Sequence, residues 1–313
     1  MKKIFLFAAA AMVSLSSCVQ TEDVYTGGLN EIGFKSAVSR AVVEGTTFTG
    51  SMTVAAAWDA EKDGTFVQYF APTEFVDASG TWSGNPARYW PNDGNMDFIA
   101  HYPHNESFAA PIVGDKLAGY TVTGIQNKTK QDDVLYSDIL RCKCPQNATQ
   151  ALKFHHAMTL LQVNFATTLT NTNDVVTIKT ATVNDVVFDG DLTVTGEAGT
   201  KSAAAWSNHG TVTDYTFAGI DTSYDLEGTV NANKASTPLL ILPSKTGEKQ
   251  TQMTIVYLQN GHELTKVVPL KSYGAWEMGK KYIYNFTITA NEIQFTVSVD
   301  DWNDSLVNNG VTI

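Results

Sequence analysis

Cysteine is scarce in this sequence, and its scarcity excludes a fold stabilised mainly by disulfide bonds. The 313 residues contain three cysteines, Cys18, Cys142 and Cys144. The last two are separated by a single residue, so a bridge between them would close only a small, strained ring. We therefore expect a fold held together by its core, for which a hydrophobic share of 43% is sufficient.

Positive charge is also in short supply. Lysine and arginine number 21 against 32 aspartates and glutamates, which gives a formal net charge of -11. A surface with this balance repels the phosphates of nucleic acids. We therefore predict no nucleic-acid partner.

The sequence lacks the motifs that carry common catalytic chemistry: G-x-S-x-G, the complete phosphate loop G-x-x-x-x-G-K-[ST] and H-E-x-x-H. Histidines and cysteines that could form a zinc set match no common zinc module. They are His101, His104, His155, His156, Cys142 and Cys144. We predict a protein that is not an enzyme and has neither a cofactor nor a metal site.

Helical periodicity is nearly absent beyond the N-terminal apolar run, and alternation with a period of two takes its place. Ile32, Phe34 and Val38 fall on one face of a strand, and Lys35 falls on the other. Similar alternation recurs throughout the chain between turns rich in Gly, Asn, Asp and Pro, which predicts an all-β fold of sandwich type. We expect the core of the second half to include Phe286, Ile288, Phe295 and Val297.

The N-terminus has the layout of a lipoprotein signal peptide, which we assign to residues 1–17. Lys2 and Lys3 precede an apolar run at residues 4–13 that is too short to span a bilayer. The small residues before Cys18 resemble the bacterial lipobox, in which the cysteine is acylated and the cut falls just before it. An ordinary signal peptide with a chance cysteine is the alternative.

The six tryptophans allow two interpretations. Some of them could form a platform on which sugars stack, or they could be buried anchors at strand ends. They are Trp58, Trp82, Trp90, Trp206, Trp276 and Trp302. A core role is the expectation for most of them.

Four blocks in chain order resemble the fimbrillin superfamily of Bacteroidetes surface lipoproteins, whose members build or decorate pili. They are ARYWPNDGNMDFIAHYP; DVLYSDI followed by LKFHHAMTLLQVNF; TPLLILPS; and WEMGKKYIYNFTIT with EIQFTVSVDDWND. The resemblance implies two tandem transthyretin-like β-sandwich domains after the signal peptide. We assign them to residues 41–150 and 151–313.

The resemblance also implies proteolytic processing. In such families an arginine-specific protease cuts a few residues past the first strand, and Arg40, followed by Ala41, stands at the matching place. Residues 18–40 would then be a lipid-anchored propeptide, whose strand with Ile32, Phe34 and Val38 is removed so that another subunit's strand can replace it. An ordinary turn residue at position 40 is the alternative.

Two function classes follow. The first is a structural subunit or adhesin of a cell-surface fimbria, exported to the outer membrane as a lipoprotein, with other fimbrial subunits and a surface receptor or glycan as partners. Its position as stalk, tip or anchor stays open. The second is a surface lipoprotein that binds glycans without polymerising, which would require at least two tryptophans exposed on one face.

Overall fold

A computed structural model of the chain describes residues 30–36, 50–169, 175–218, 220, 224–226, 234–243, 252–270 and 275–302. In these ranges the chain forms twenty-five strands and no helix, which confirms the all-β prediction. It follows that the described residues include no helix that is long and apolar enough to cross a membrane.

The strands of the first half are β1 Gly33–Ser36, β2 Ser51–Asp59, β3 Val67–Ala78, β4 Thr81–Asn85, β5 Asn95–Tyr102, β6 Phe108–Ala109, β7 Ile112–Val113, β8 Lys116–Leu117, β9 Gly119–Gln126, β10 Leu135–Ser137, β11 Leu140–Lys143, β12 Gln150–Leu152 and β13 Phe154–His156. Those of the second half are β14 Thr159–Thr167, β15 Val176–Val186, β16 Asp189–Thr195, β17 Ala203–Ser207, β18 Thr213–Thr216, β19 Tyr224–Leu226, β20 Lys234–Ala235, β21 Leu239–Ile241, β22 Gln252–Gln259, β23 His262–Pro269, β24 Lys280–Ile288 and β25 Ile293–Asp301.

The first sheet has nine strands in the order β12-β1-β4-β3-β2-β5-β10-β13, and β11 also pairs with β5. One of its faces carries an aromatic core. That core includes Ile32, Phe34, Met52, Val54, Phe75, Trp82, Phe98 and Leu152. The other face of its central strands contributes Ala55, Ala57 and Ile99 to a second core.

The second sheet, β17-β16-β9-β6, covers that second core and joins the two halves of the sequence. β9 pairs antiparallel with β16, so that Val122 lies opposite Leu192 and Tyr120 opposite Val194. All four side chains are buried. Segments more than sixty residues apart therefore share one packed layer.

The third sheet is β20-β14-β24-β25 with β21 on β14, and the fourth is β18-β15-β22-β23 with β19 on β15. The largest core draws side chains from both. Its members include Leu161, Val163, Phe165, Ile178, Val183, Ile255, Tyr284 and Phe286. In the third sheet, β14 and β24 pair in parallel over eight residues, with Phe165 opposite Phe286.

In β14 and β24 the apolar residues at alternate positions are buried, which confirms the period of two expected of strands in this chain. Phe286 and Ile288 lie in the core as expected, whereas Phe295 and Val297 are only half-buried against it. These last two are on β25, which pairs only with β24 among the described strands. A strand at the edge of a sheet lacks neighbours on one side, so its inner face stays partly open.

Candidate functional site

The candidate site is the position of β1 inside the nine-stranded sheet. β1 runs antiparallel to β4, with Phe34 opposite Trp82, and parallel to β12, with Phe34 opposite Gln150. A four-residue strand near the N-terminus thus fills the gap between β4 and β12.

Backbone hydrogen bonds continue this pairing ahead of the strand. The Ile32 amide donates to the Arg88 carbonyl at 2.7 Å, and the Trp90 amide donates to the Asn30 carbonyl at 3.0 Å. The Asn30 side-chain amide also donates to the side-chain oxygen of Asn147, across the gap. Both sides of β1 are therefore bonded to the body of the protein.

The two faces of β1 differ at its large side chains. Phe34, and Ile32 directly before the strand, are 0% exposed, whereas Lys35 on the other face is exposed. The Phe34 ring lies 5.3 Å from the Phe75 ring and 5.1 Å from the Phe98 ring, in the edge-to-face range that aromatic pairs prefer. Removing β1 would uncover these rings and leave two strand edges unpaired.

The structure brings together only part of the predicted site. Phe34 lies in β1 and Ile32 directly before it, and their role in strand exchange stays a prediction. Cys18, Val38, Arg40 and Ala41 lie outside the described residues, and their roles stay predictions. Sequence reasoning missed the walls of the site, Trp82 and Leu152, because no local pattern indicates which distant strands a given strand will pair with.

The histidines considered as metal ligands have hydrogen-bond partners in the protein. His101 is buried with its Nδ1 3.2 Å from the Tyr120 hydroxyl, and His104 Nδ1 lies 2.8 Å from Thr53 Oγ1. Burial, assisted by repulsion from His104, lowers the pKa of His101 to about 3. His101 is therefore a neutral core residue at ordinary pH.

His155 and His156 each contact a carboxylate. His155 Nε2 lies 2.8 Å from Asp138 and His156 Nδ1 lies 3.0 Å from Asp133. The His156 ring also stacks on Trp302, with centroids 3.8 Å apart, beside a polar cleft of about 520 Å³. Among the described residues, no group of three or more His, Cys, Asp or Glu side chains is arranged to hold a metal ion.

The tryptophans are packed into the protein. All six are described; Trp82, Trp90 and Trp276 are buried and the other three are half-buried. Trp206 Nε1 donates to the Ala157 carbonyl, and Trp58 Nε1 donates to the Asp93 carbonyl. No tryptophan is mostly exposed, which favours the packing role expected for most of them over a sugar-stacking platform.

Comparison with known proteins supplies the class to which this fold belongs. A model of the family described as "Fimbrillin-like" matches residues 39–302, and the chain belongs to this family. The matched range begins just after β1. A search of the curated proteins found no match.

Three solved structures of fimbrial proteins are similar to this chain to different degrees. A fimbrial protein from Bacteroides vulgatus is 14% identical, with 87% of this chain and 99% of that chain covered and a TM-score of 0.54. A fimbrial assembly protein from Parabacteroides distasonis is 10% identical, with coverages of 86% and 99% and a TM-score of 0.44. The tip fimbrial protein Mfa3 from Porphyromonas gingivalis, with a C-terminal truncation, is 12% identical, with coverages of 87% and 98% and a TM-score of 0.41. Only the first likeness is close enough to support a statement about the fold.

Proposed function

We propose that this protein is a structural subunit or adhesin of a cell-surface fimbria. It is exported to the outer membrane as a lipoprotein acylated at Cys18, cut after Arg40 and assembled by exchange of β1 for a strand of another subunit. Membership of the fimbrillin-like family supports the role of pilus subunit. We also propose that residues 41–150 and 151–313 form two tandem β-sandwich domains of transthyretin-like character.

The position of β1 is the observation that carries this proposal. Among the described strands, β1 is the first in the chain, yet it lies inside a sheet and not at its edge. Only the segment 37–50 connects it to β2. A single cut in that segment therefore leaves β1 attached to the body by non-covalent contacts alone.

Loss of β1 leaves a binding site that requires both backbone pairing and apolar contacts. The sheet then has two unpaired edges, β4 and β12, and such edges readily pair with another chain. The uncovered aromatic core adds an apolar driving force of roughly 25 cal/mol per Å² of surface reburied. An incoming strand can satisfy both, because backbone ladders supply affinity and alternate side chains set the register.

The distribution of arginines supports a selective cut. The chain has three, Arg40, Arg88 and Arg141. The Arg141 guanidinium forms two hydrogen bonds of 2.7 Å with the buried Asp97 and lies over the Phe66 ring. Arg88 donates to Thr73. Both are held on the sheet, so an arginine-specific protease acting on the folded protein should favour Arg40.

The test is to express the wild-type chain and the Arg40→Lys variant in the bacterium that produces the protein. Lysine retains the positive charge but is not a substrate for an arginine-specific protease. We expect the wild-type chain in high-mass ladders of the surface fraction on denaturing gels without heating, and Arg40→Lys only as the monomer. Equal ladders from both proteins, or none from a fully cleaved wild type, would refute the proposed assembly.

A further inference from the structure

β1 begins with a glycine, Gly33, whose position leaves little room for a side chain. Gly33 is buried, although it lies on the same side of the strand as the exposed Lys35. A Cβ added to Gly33 would lie 3.3 Å from the Thr149 methyl carbon, 3.7 Å from the Thr81 methyl carbon and 3.7 Å from the Trp82 carbonyl oxygen. A methyl group therefore requires a small shift, and a branched side chain would have to force the two threonines apart.

The positions of Ile32 and Phe34, the neighbours of Gly33, instead require large side chains. Both are 0% exposed and belong to the aromatic core. A strand in this place must therefore present a large aliphatic residue, then almost no side chain, then an aromatic residue. The ladder also fixes its direction, antiparallel to β4 and parallel to β12.

We propose that the site vacated by β1 is selective for a strand with the pattern aliphatic–glycine–aromatic, and that this strand comes from a different protein. The inference depends on the exchange of β1 proposed above and specifies the partner. Among the 23 glycines of this chain, only Gly33 stands between a large aliphatic and an aromatic residue. Residues Val311, Thr312 and Ile313 have a β-branched residue at the centre. Residues 41–313 of a second cleaved copy therefore contain no segment with this pattern.

The test uses the purified full chain after cleavage at Arg40 and labelled peptides followed by fluorescence anisotropy. The reference peptide is NEIGFKSA, residues 30–37. Matched variants carry Gly33→Ala, Gly33→Val or Phe34→Ser, and another peptide has residues 305–313. The uncleaved Arg40→Lys protein is the control, because its tethered β1 competes at a high effective concentration.

We expect the reference peptide to enter the cleaved protein but not the control. Three peptides should bind with a Kd at least about tenfold higher. They are the Gly33→Val peptide, the Phe34→Ser peptide and the 305–313 peptide. The Gly33→Ala peptide should bind with an intermediate affinity. Equal binding of the Gly33→Val or the 305–313 peptide would overturn the inference.

The oligomeric state of the cleaved protein shows whether this inference or the proposed function fails. We expect the cleaved protein to remain monomeric alone in size-exclusion chromatography, and mass spectrometry of the ladders to find a second protein in them. Homopolymers of the purified, cleaved chain would overturn the inference while leaving the proposed function intact. The predicted peptide preference without any ladders at the cell surface would refute the proposed function and support the inference.

Discussion

Phe34 and Lys35 of β1 contribute to different degrees to holding the strand in place. Phe34 is fully buried and contacts two aromatic rings, whereas Lys35 is exposed and extends from the opposite face. Because β1 is linked to β2 by one segment, weakening its contacts should release the strand before the rest of the protein unfolds. Local opening is therefore the quantity to measure.

Phe34→Ala should release β1. Replacing a buried phenylalanine with alanine costs about 3–5 kcal/mol, and the lower value corresponds to a roughly hundredfold change in an opening equilibrium. Hydrogen exchange of the amides at residues 32–36 should accelerate accordingly, with little change in β14 or β24. Lys35→Ala is the matched control and should leave the exchange rates nearly unchanged. Equal protection in wild type and Phe34→Ala would show that β1 is not held by this side chain.

His101 should make the fold less stable in acid. Burial holds its folded-state pKa at about 3, below the unfolded value of 6.5, so the unfolded chain binds the additional proton between these two values. Its contribution to stability is complete above pH 6.5 and falls by about 1.4 kcal/mol per pH unit as the pH drops towards 3.

The measurement is the free energy of urea unfolding at pH 7, 6, 5 and 4 for wild type and His101→Phe. Phenylalanine keeps a ring against Phe108 and Tyr120 but cannot titrate. We expect the variant to be less stable at pH 7 because Tyr120 loses its partner, but to have a shallower dependence on pH. Parallel curves for the two proteins would contradict this role.

At the scale of elements, the neighbours of a strand determine how deeply its apolar face is buried. β24 and β25 alternate equally well in sequence, and they pair along their whole length with Phe286 opposite Phe295. β24 lies between β14 and β25, whereas β25 is at the edge of the sheet. Phe286 is consequently 1% exposed, while Phe295 is half-buried.

Two matched truncations should reveal this difference. Phe286→Ala should cost about 3–5 kcal/mol of unfolding free energy, as expected for a fully buried ring. Phe295→Ala should cost about 1–3 kcal/mol, because part of its ring is already in contact with water. Denaturant unfolding of both variants gives the comparison. A cost for Phe295→Ala as large as that for Phe286→Ala would indicate that β25 is covered by another segment in solution.

The difference between the face of a strand and its position in a sheet explains how much of the fold the sequence could predict. Alternation indicates which residues of a strand share a face, and it correctly placed Ile32 and Phe34 on one face and the inward-facing residues of β14 and β24 on another. It does not indicate the order of strands in a sheet, which depends on contacts between distant residues. The parallel pairing of β1 with β12, the edge position of β25 and the closeness of Gly33 to Thr149 are all of this kind.

At the scale of the whole molecule, the two halves of the chain are not independent layers. β12 and β13, at residues 150–156, belong to the first sheet, and β16 of the second half pairs with β9 of the first. The boundary at residue 150 stays a prediction, and these pairings favour a body that unfolds cooperatively. β1, the first of the described strands, is joined to the others by one segment, so a single cut there can free it. Detachment of β1 and integrity of the remaining sheets are therefore compatible.

Lipid attachment is the final property of the whole molecule, and it depends on one atom, the thiol sulfur of Cys18. The order of basic residues, apolar run, small residues and cysteine predicts that this thiol is acylated during export. Cys18→Ala should abolish incorporation of labelled fatty acid and shift the precursor from the membrane to the soluble fraction. Cys144→Ala is the control, because Cys144 is a free, half-buried cysteine far along the chain.

The outcome also depends on the cut after Arg40, because the lipid and β1 would lie on the same fragment. In the Arg40→Lys protein the fatty acid should stay with the full-length chain. In the cleaved wild type it should appear on the small fragment of residues 18–40, which remains bound until another strand displaces β1. Labelling of Cys18→Ala at the level of wild type would refute the lipobox interpretation. Labelled lipid on the large fragment would refute the order of processing, because that fragment begins at Ala41.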